Sequence, residues 1–160
     1  MHARHFVRPT SFPAVILALS LLVAPVVNGA AAKGAAAERP GELNLTITYK
    51  GKGDVDDTHE IFVWVFDNPN IGAGSQPIAS GVVKKNGGDV RFADLAVTPV
   101  YIAVAYDEKG DYDGTQGPPP PGTPVAVYST DGQGTPAPIE VKETAQVSMT
   151  FDDSQRMGGQ

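Results

Sequence analysis

Alternation of apolar and polar residues, punctuated by glycine and proline, confines this chain to strands. Leu43, Leu45, Ile47 and Tyr49 alternate with Asn44, Thr46 and Thr48. Side chains on a strand point to opposite faces in turn, so this period gives one apolar and one polar face. Gln146 to Phe151 repeats the pattern, with Val147, Met149 and Phe151 turned inward. Glu60 to Phe66 (EIFVWVF) is different: it is apolar on both faces, which marks a central strand covered on both sides. No window carries the period of an amphipathic helix. Fourteen prolines and eighteen glycines fall mostly between the apolar runs, as the turns of a sandwich require.

Four further strands complete the set. Pro77 to Lys85 is weaker, with Gly81 marking a bulge. Asp89 to Leu95 places Val90 and Phe92 on one face, Pro99 to Tyr106 is the strongest strand, and Pro138 to Lys142 is short and edge-like. The long connection Asp107 to Pro136 carries the stiff stretch Gly117-Pro-Pro-Pro-Pro-Gly122, and a minor strand at Val125 to Tyr128 would break it. The expected fold is all-β: a single antiparallel β-sandwich of about seven strands over Gly41 to Asp153. Cysteine is absent from the chain. Disulfides, thiol nucleophiles and cysteine zinc sites are therefore excluded, and the core must suffice alone.

The start of the chain reads as a targeting segment. Arg4 and Arg8 precede an apolar run from Ala14 to Val27, and small residues follow from Asn28 to Ala32. The run is too short for a comfortable membrane span, so residues 1–32 are expected to form a cleaved signal peptide. Residues 33–40 read as a flexible leader and 154–160 as a disordered tail. The product is expected to be secreted or periplasmic, off the membrane after cleavage, and monomeric. Beyond residue 32 the chain holds ten Lys and Arg against eighteen Asp and Glu, a net charge of −8. Such a surface repels nucleic acid and anionic lipid.

The densest chemistry lies where a strand runs into an acidic turn, Tyr101 to Gly114. Asp107, Asp111 and Asp113 share this one short loop. Short connections reverse the chain, so the ends of the first, third, fifth and seventh strands share one pole. That brings in Gly51-Lys-Gly-Asp-Val-Asp-Asp57 and Asp152-Asp153. Carboxylates gathered at one pole repel until a cation joins them, and calcium takes six to eight hard oxygens. The expected cofactor is Ca²⁺, held by Asp107, Asp111 and Asp113 with Asp54, Asp56, Asp57 and Asp152. The competing reading is that Asp and Gly here are ordinary turn residues.

Other motifs are weaker. Asn44-Leu-Thr46 is a glycosylation sequon set inside a strand, Asp67-Asn-Pro-Asn70 is a turn, and Gly72-Ala-Gly74 a loop with no helix after it. Phe62, Trp64 and Phe66 form an aromatic stripe, and a core position for Trp64 is expected. If a platform for a sugar ring exists, Tyr112 in the long loop is the better candidate and Trp64 the other. Beyond residue 32 the one histidine is His59, which leaves little room for histidine-based catalysis.

Phe92-x-x-Leu95, then Tyr101-Ile-Ala, then an Asp-x-x-x-Asp-x-Asp-Gly loop resembles a secreted bacterial family of unknown function. Lys109 stands where that family has asparagine, and Thr98-Pro99 replaces a glycine. More broadly, the strand succession is similar to transthyretin-type and carboxypeptidase-regulatory-type sandwiches. The resemblance implies adhesion or appended binding, and rarely hydrolysis. The expected function is therefore a secreted, non-catalytic binding or structural domain whose partner is an extracytoplasmic protein or glycan. The alternatives are a carbohydrate-binding module and a carboxylate-based carbohydrate hydrolase.

Overall fold

The structure, a computed structural model, describes residues 40–72, 74–115 and 117–158. The expected signal peptide and all but the last residue of the leader lie outside them. Seven strands follow in order: β1 Gly41–Tyr49, β2 Ile61–Phe66, β3 Ala79–Val83, β4 Gly88–Leu95, β5 Tyr101–Tyr106, β6 Val125–Val127 and β7 Thr144–Phe151. No helix occurs among the described residues. The strands form two sheets, ordered β4-β1-β7 and β3-β2-β5-β6, consistent with a β-sandwich. The alternation seen in β1 and β7 becomes the inner wall of the first sheet: Leu43, Leu45, Ile47, Tyr49, Met149 and Phe151 are buried. Ile61, Val63 and Val65 of β2, with Ile102, Val104 and Tyr106 of β5, oppose them in the same core.

The expected architecture needs three corrections. The first sheet is mixed: β1 and β7 pair in parallel over eight positions, from Glu42↔Thr144 to Tyr49↔Phe151. The reason lies in the alternation of chain direction. Odd-numbered strands all run the same way, so two of them placed side by side must be parallel. The sixth strand is Val125–Val127, not Pro138 to Lys142. Pro138 lacks an N–H donor, and the segment makes one isolated bridge, Val100↔Ile139. It buries Ile139 and Val141 in the core instead, and Val141 donates its N–H to Thr98 Oγ1 at 2.8 Å. Gly81 sits in register opposite Val63, with no bulge. Its bare backbone admits the neighbouring sheet, because a Cβ there would lie 2.6 Å from Val90 Cγ2.

The segment expected to fray is also pinned. Met157 donates to Thr123 O at 2.8 Å, Val125 to Gln155 O at 3.0 Å, and Gly122 to Met157 O at 2.8 Å. These bonds lay Gln155 to Met157 along Gly122 to Val125, the run-in to β6. At the far side, Asn86 extends the β1 ladder with its side chain, accepting from Tyr49 N and donating to Tyr49 O, each at 2.8 Å.

Tyr49 is the point of tension in the core. Its ring packs on Tyr106 at 4.2 Å and Phe151 at 5.0 Å. The residue is 2% exposed, yet its hydroxyl has no hydrogen-bond partner. Burial, reinforced by the charges of Asp153 and Glu108, pushes the phenol up to about 12 from its ordinary 10.0. A folded-state value raised in this way leaves stability intact below pH 10 and removes it as pH climbs toward 12, by about 2–3 kcal/mol in all. Tyr49→Phe keeps the ring and deletes the unsatisfied group. Chemical denaturation is expected to show a gain of about 1–3 kcal/mol at neutral pH, and the variant loses this alkaline component.

Candidate functional site

Strand direction brings the three acidic clusters to one pole, and the backbone there absorbs most of their carboxylates. Asp107, 5% exposed, accepts the N–H of Lys109 at 3.1 Å and of Gly110 at 2.9 Å on Oδ1, and that of Tyr112 at 2.9 Å on Oδ2. Asp113 Oδ1 accepts Thr115 N and Oγ1, both at 2.8 Å. Asp56 Oδ1 accepts Thr58 N and His59 N at 2.8 Å, with the His59 ring at 3.1 Å; these backbone bonds hold its carboxyl below the usual range. Asp152 accepts Ser154 N at 2.9 Å. Asp57 pairs with Lys84 at 3.7 Å. Asp54 takes part through its carbonyl, which accepts the Tyr106 hydroxyl at 2.9 Å. Asp111 is exposed.

Sequence reasoning missed Arg156, because it lies in the supposed tail. Its guanidinium holds Glu108 through two bonds of 2.6 and 3.0 Å, meets Asp153 at 3.4 Å and donates to Gly122 O at 2.7 Å. Those hydrogen bonds, with the charge behind them, lower the Glu108 carboxyl below its ordinary 4.5. A lone arginine after Asp152-Asp153 was the available signal. Local caps, Lys84 and Arg156 offset part of the repulsion on which the calcium expectation rests. Among the described residues, no group of three or more His, Asp or Glu side chains is gathered so as to hold a metal ion.

The long β5–β6 connection does something else. Phe62, Trp64 and Phe66 face away from the shared core, on the outer side of the four-stranded sheet. Tyr112 folds over Phe62 and Trp64. It is 8% exposed, sets its ring edge-on to Phe62 at 4.9 Å, and donates its hydroxyl to Gly117 O at 2.6 Å. Gly114 allows the loop to lie this close: its φ is +75°, and a Cβ there would be 2.8 Å from the Phe62 ring. Asp107 is the clasp, since it fixes the turn that delivers Tyr112. The two residues therefore differ from their expected burial. Tyr112 is cover, and Trp64 is neither in the central core nor fully covered.

Trp64 stacks on Phe62 at 6.1 Å and is half-buried. Its ladder neighbours are Ser80 on β3 and Ala103 on β5, both too small to hide an indole. It lines a cavity of about 910 Å³ with Phe66, Ala103 and Val127. Ile71, Gly72, Gly74 to Pro77, Gly117 to Pro119, Gly132 and Gly134 supply its rims. The cavity continues around β6 toward Met149 and Asp152 of the other sheet. Lys50 and Asp152 are its only charged lining residues among those described. A second depression of about 600 Å³ is bounded by Glu140, Lys142, Glu143 and Thr144 and offers no ring.

Two outcomes test this assignment of roles. Asp107→Asn turns an acceptor into a donor facing a backbone N–H, and is expected to cost about 2–3 kcal/mol in urea unfolding while shifting Trp64 emission as Tyr112 lifts. The wild-type melting temperature is expected to be equal in calcium and in chelator. A rise of several degrees with calcium would show that the carboxylates leave their caps to bind it.

No protein-family model and no curated protein sequence matches the chain. Among solved structures, two determinations of the pilus-presented adhesin Spy0125 (Cpa) align with it. One is 13% identical with a TM-score of 0.36, over 75% of this chain and 28% of the adhesin. The other is 10% identical with a TM-score of 0.31, over 78% and 28%. The chain thus spans little more than a quarter of the length of the adhesin it aligns with.

Proposed function

We propose that this is a secreted or periplasmic, non-catalytic binding domain that holds a neutral glycan against Trp64. One observation carries the reading: a half-exposed indole set in a cavity of about 910 Å³ whose lining is almost uncharged. Ligand sites are concave, mostly apolar and edged by a few polar groups. A sugar ring presents an apolar face that stacks on an aromatic ring and a polar rim that hydrogen-bonds around it. Ser75, Gln76, Thr115 and Ser129 edge the cavity and offer such bonds. The signal-like start of the chain supports export. Kinship with transthyretin-type sandwiches belongs to the same reading and rests on the succession of strands.

The hydrolase alternative fares worse. Glycosidases flank the scissile bond with two carboxyl groups roughly 5–9.5 Å apart. The cavity offers Asp152 as its one acid among the described lining residues, and that carboxylate caps Ser154. His59 sits at the acidic pole beside Asp56, not in the lining.

The chain has one tryptophan, so its fluorescence reports this site alone. Titration with a panel of neutral polysaccharides is expected to blue-shift or quench the emission saturably with at least one of them. Tyr101→Phe, outside the lining, is expected to leave that binding unchanged, whereas Trp64→Ala abolishes retention on the same polysaccharide in affinity electrophoresis. No response across the panel, or undiminished retention of Trp64→Ala, overturns the glycan reading.

A further inference from the structure

Four strand edges bound the two sheets, and three of them are defended. The edge of β4 carries Asp89, Arg91 and Asp94, with a register irregularity near Gly41. The β3 edge is five residues long and runs into Lys84 and Lys85. The β6 edge is three residues long, and its first residue, Val125, is covered by Gln155. Charge, shortness, irregularity and cover are the usual means of keeping an edge from pairing with another chain.

The edge of β7 has none of them. It runs for eight residues, TAQVSMTF, without charge, proline or glycine. Its register with β1 is unbroken, and among the described residues no backbone pairs with its other side. From this contrast we infer that the chain forms a symmetric dimer by pairing β7 with β7 of a second copy, antiparallel about Val147. The two three-stranded sheets then become one continuous sheet.

The sequence of β7 is complementary to itself in this register. Ala145 faces Met149 of the other copy on the core side, and Gln146 faces Ser148 on the outer side. A slip of one residue would throw the apolar set outward. This goes beyond the glycan reading and does not require it, although the far end of that cavity is lined by Ser148 to Phe151 of the same strand, and it replaces the monomer expected from sequence.

Light scattering coupled to size exclusion, over a concentration series of the purified chain, tests the inference. The wild-type mass is expected to double as concentration rises. Gln146→Lys with Ser148→Lys sets lysine against lysine across the axis at positions that are exposed within one copy. This variant is expected to stay monomeric with an unchanged far-UV spectrum, as is its counterpart with glutamate at both positions. An equimolar mixture of the two restores the dimer, because each lysine now meets a glutamate. A wild type that remains monomeric throughout, a lysine variant that still dimerises, or a mixture that stays monomeric would each overturn the proposal.

Discussion

β2 must be covered twice, and much of the molecule follows from that requirement. Ile61, Val63 and Val65 bury themselves in the core shared by the two sheets. Phe62, Trp64 and Phe66 then point the other way, where the described residues form no third sheet. An uncovered aromatic stripe in the middle of a sheet is an association hazard. The long β5–β6 connection supplies the cover, and it can do so because Asp107 commits both carboxylate oxygens to fastening it. The cover is incomplete over Trp64, and that gap makes the cavity.

The strand pattern was legible because its cause is local. Period-two alternation in β1 and β7, and the two-sided apolarity of β2, are properties of each segment by itself. Their placement was less legible, because it depends on segments distant in the chain. Both Pro138 to Lys142 and Val125 to Tyr128 look like short strands. Only a partner decides between them, and β5 pairs with the second over Ala103, Val104 and Ala105. The parallel pairing of β1 with β7 was implied by strict up-and-down succession, but could not be drawn until the order of the sheet was known.

The candidate site divides in the same way. Strand parity put Asp54, Asp107 and Asp152 at one pole, and they are there. What composition cannot show is how a carboxylate spends its lone pairs. An aspartate that caps its own turn and one that awaits a cation have the same letter in the sequence. Tyr112 was misjudged for a related reason. A tyrosine in a long loop looks exposed until the loop is seen to be the lid of an aromatic stripe. That stripe was the available clue, since a strand apolar on both faces requires something to lie over it.

The parallel pair has a mechanical consequence. β1 begins at one pole and β7 ends at the other, while the two lie side by side in register over eight residue pairs. Tension applied between the start of β1 and the end of β7 therefore pulls along both strands in opposite senses. The ladder is loaded in shear, and all its rungs bear the force together. An antiparallel neighbour would have placed both attachment points at one end, where the rungs break one after another like a zipper. This strand order makes the domain a stiff link for anything that pulls on it lengthwise.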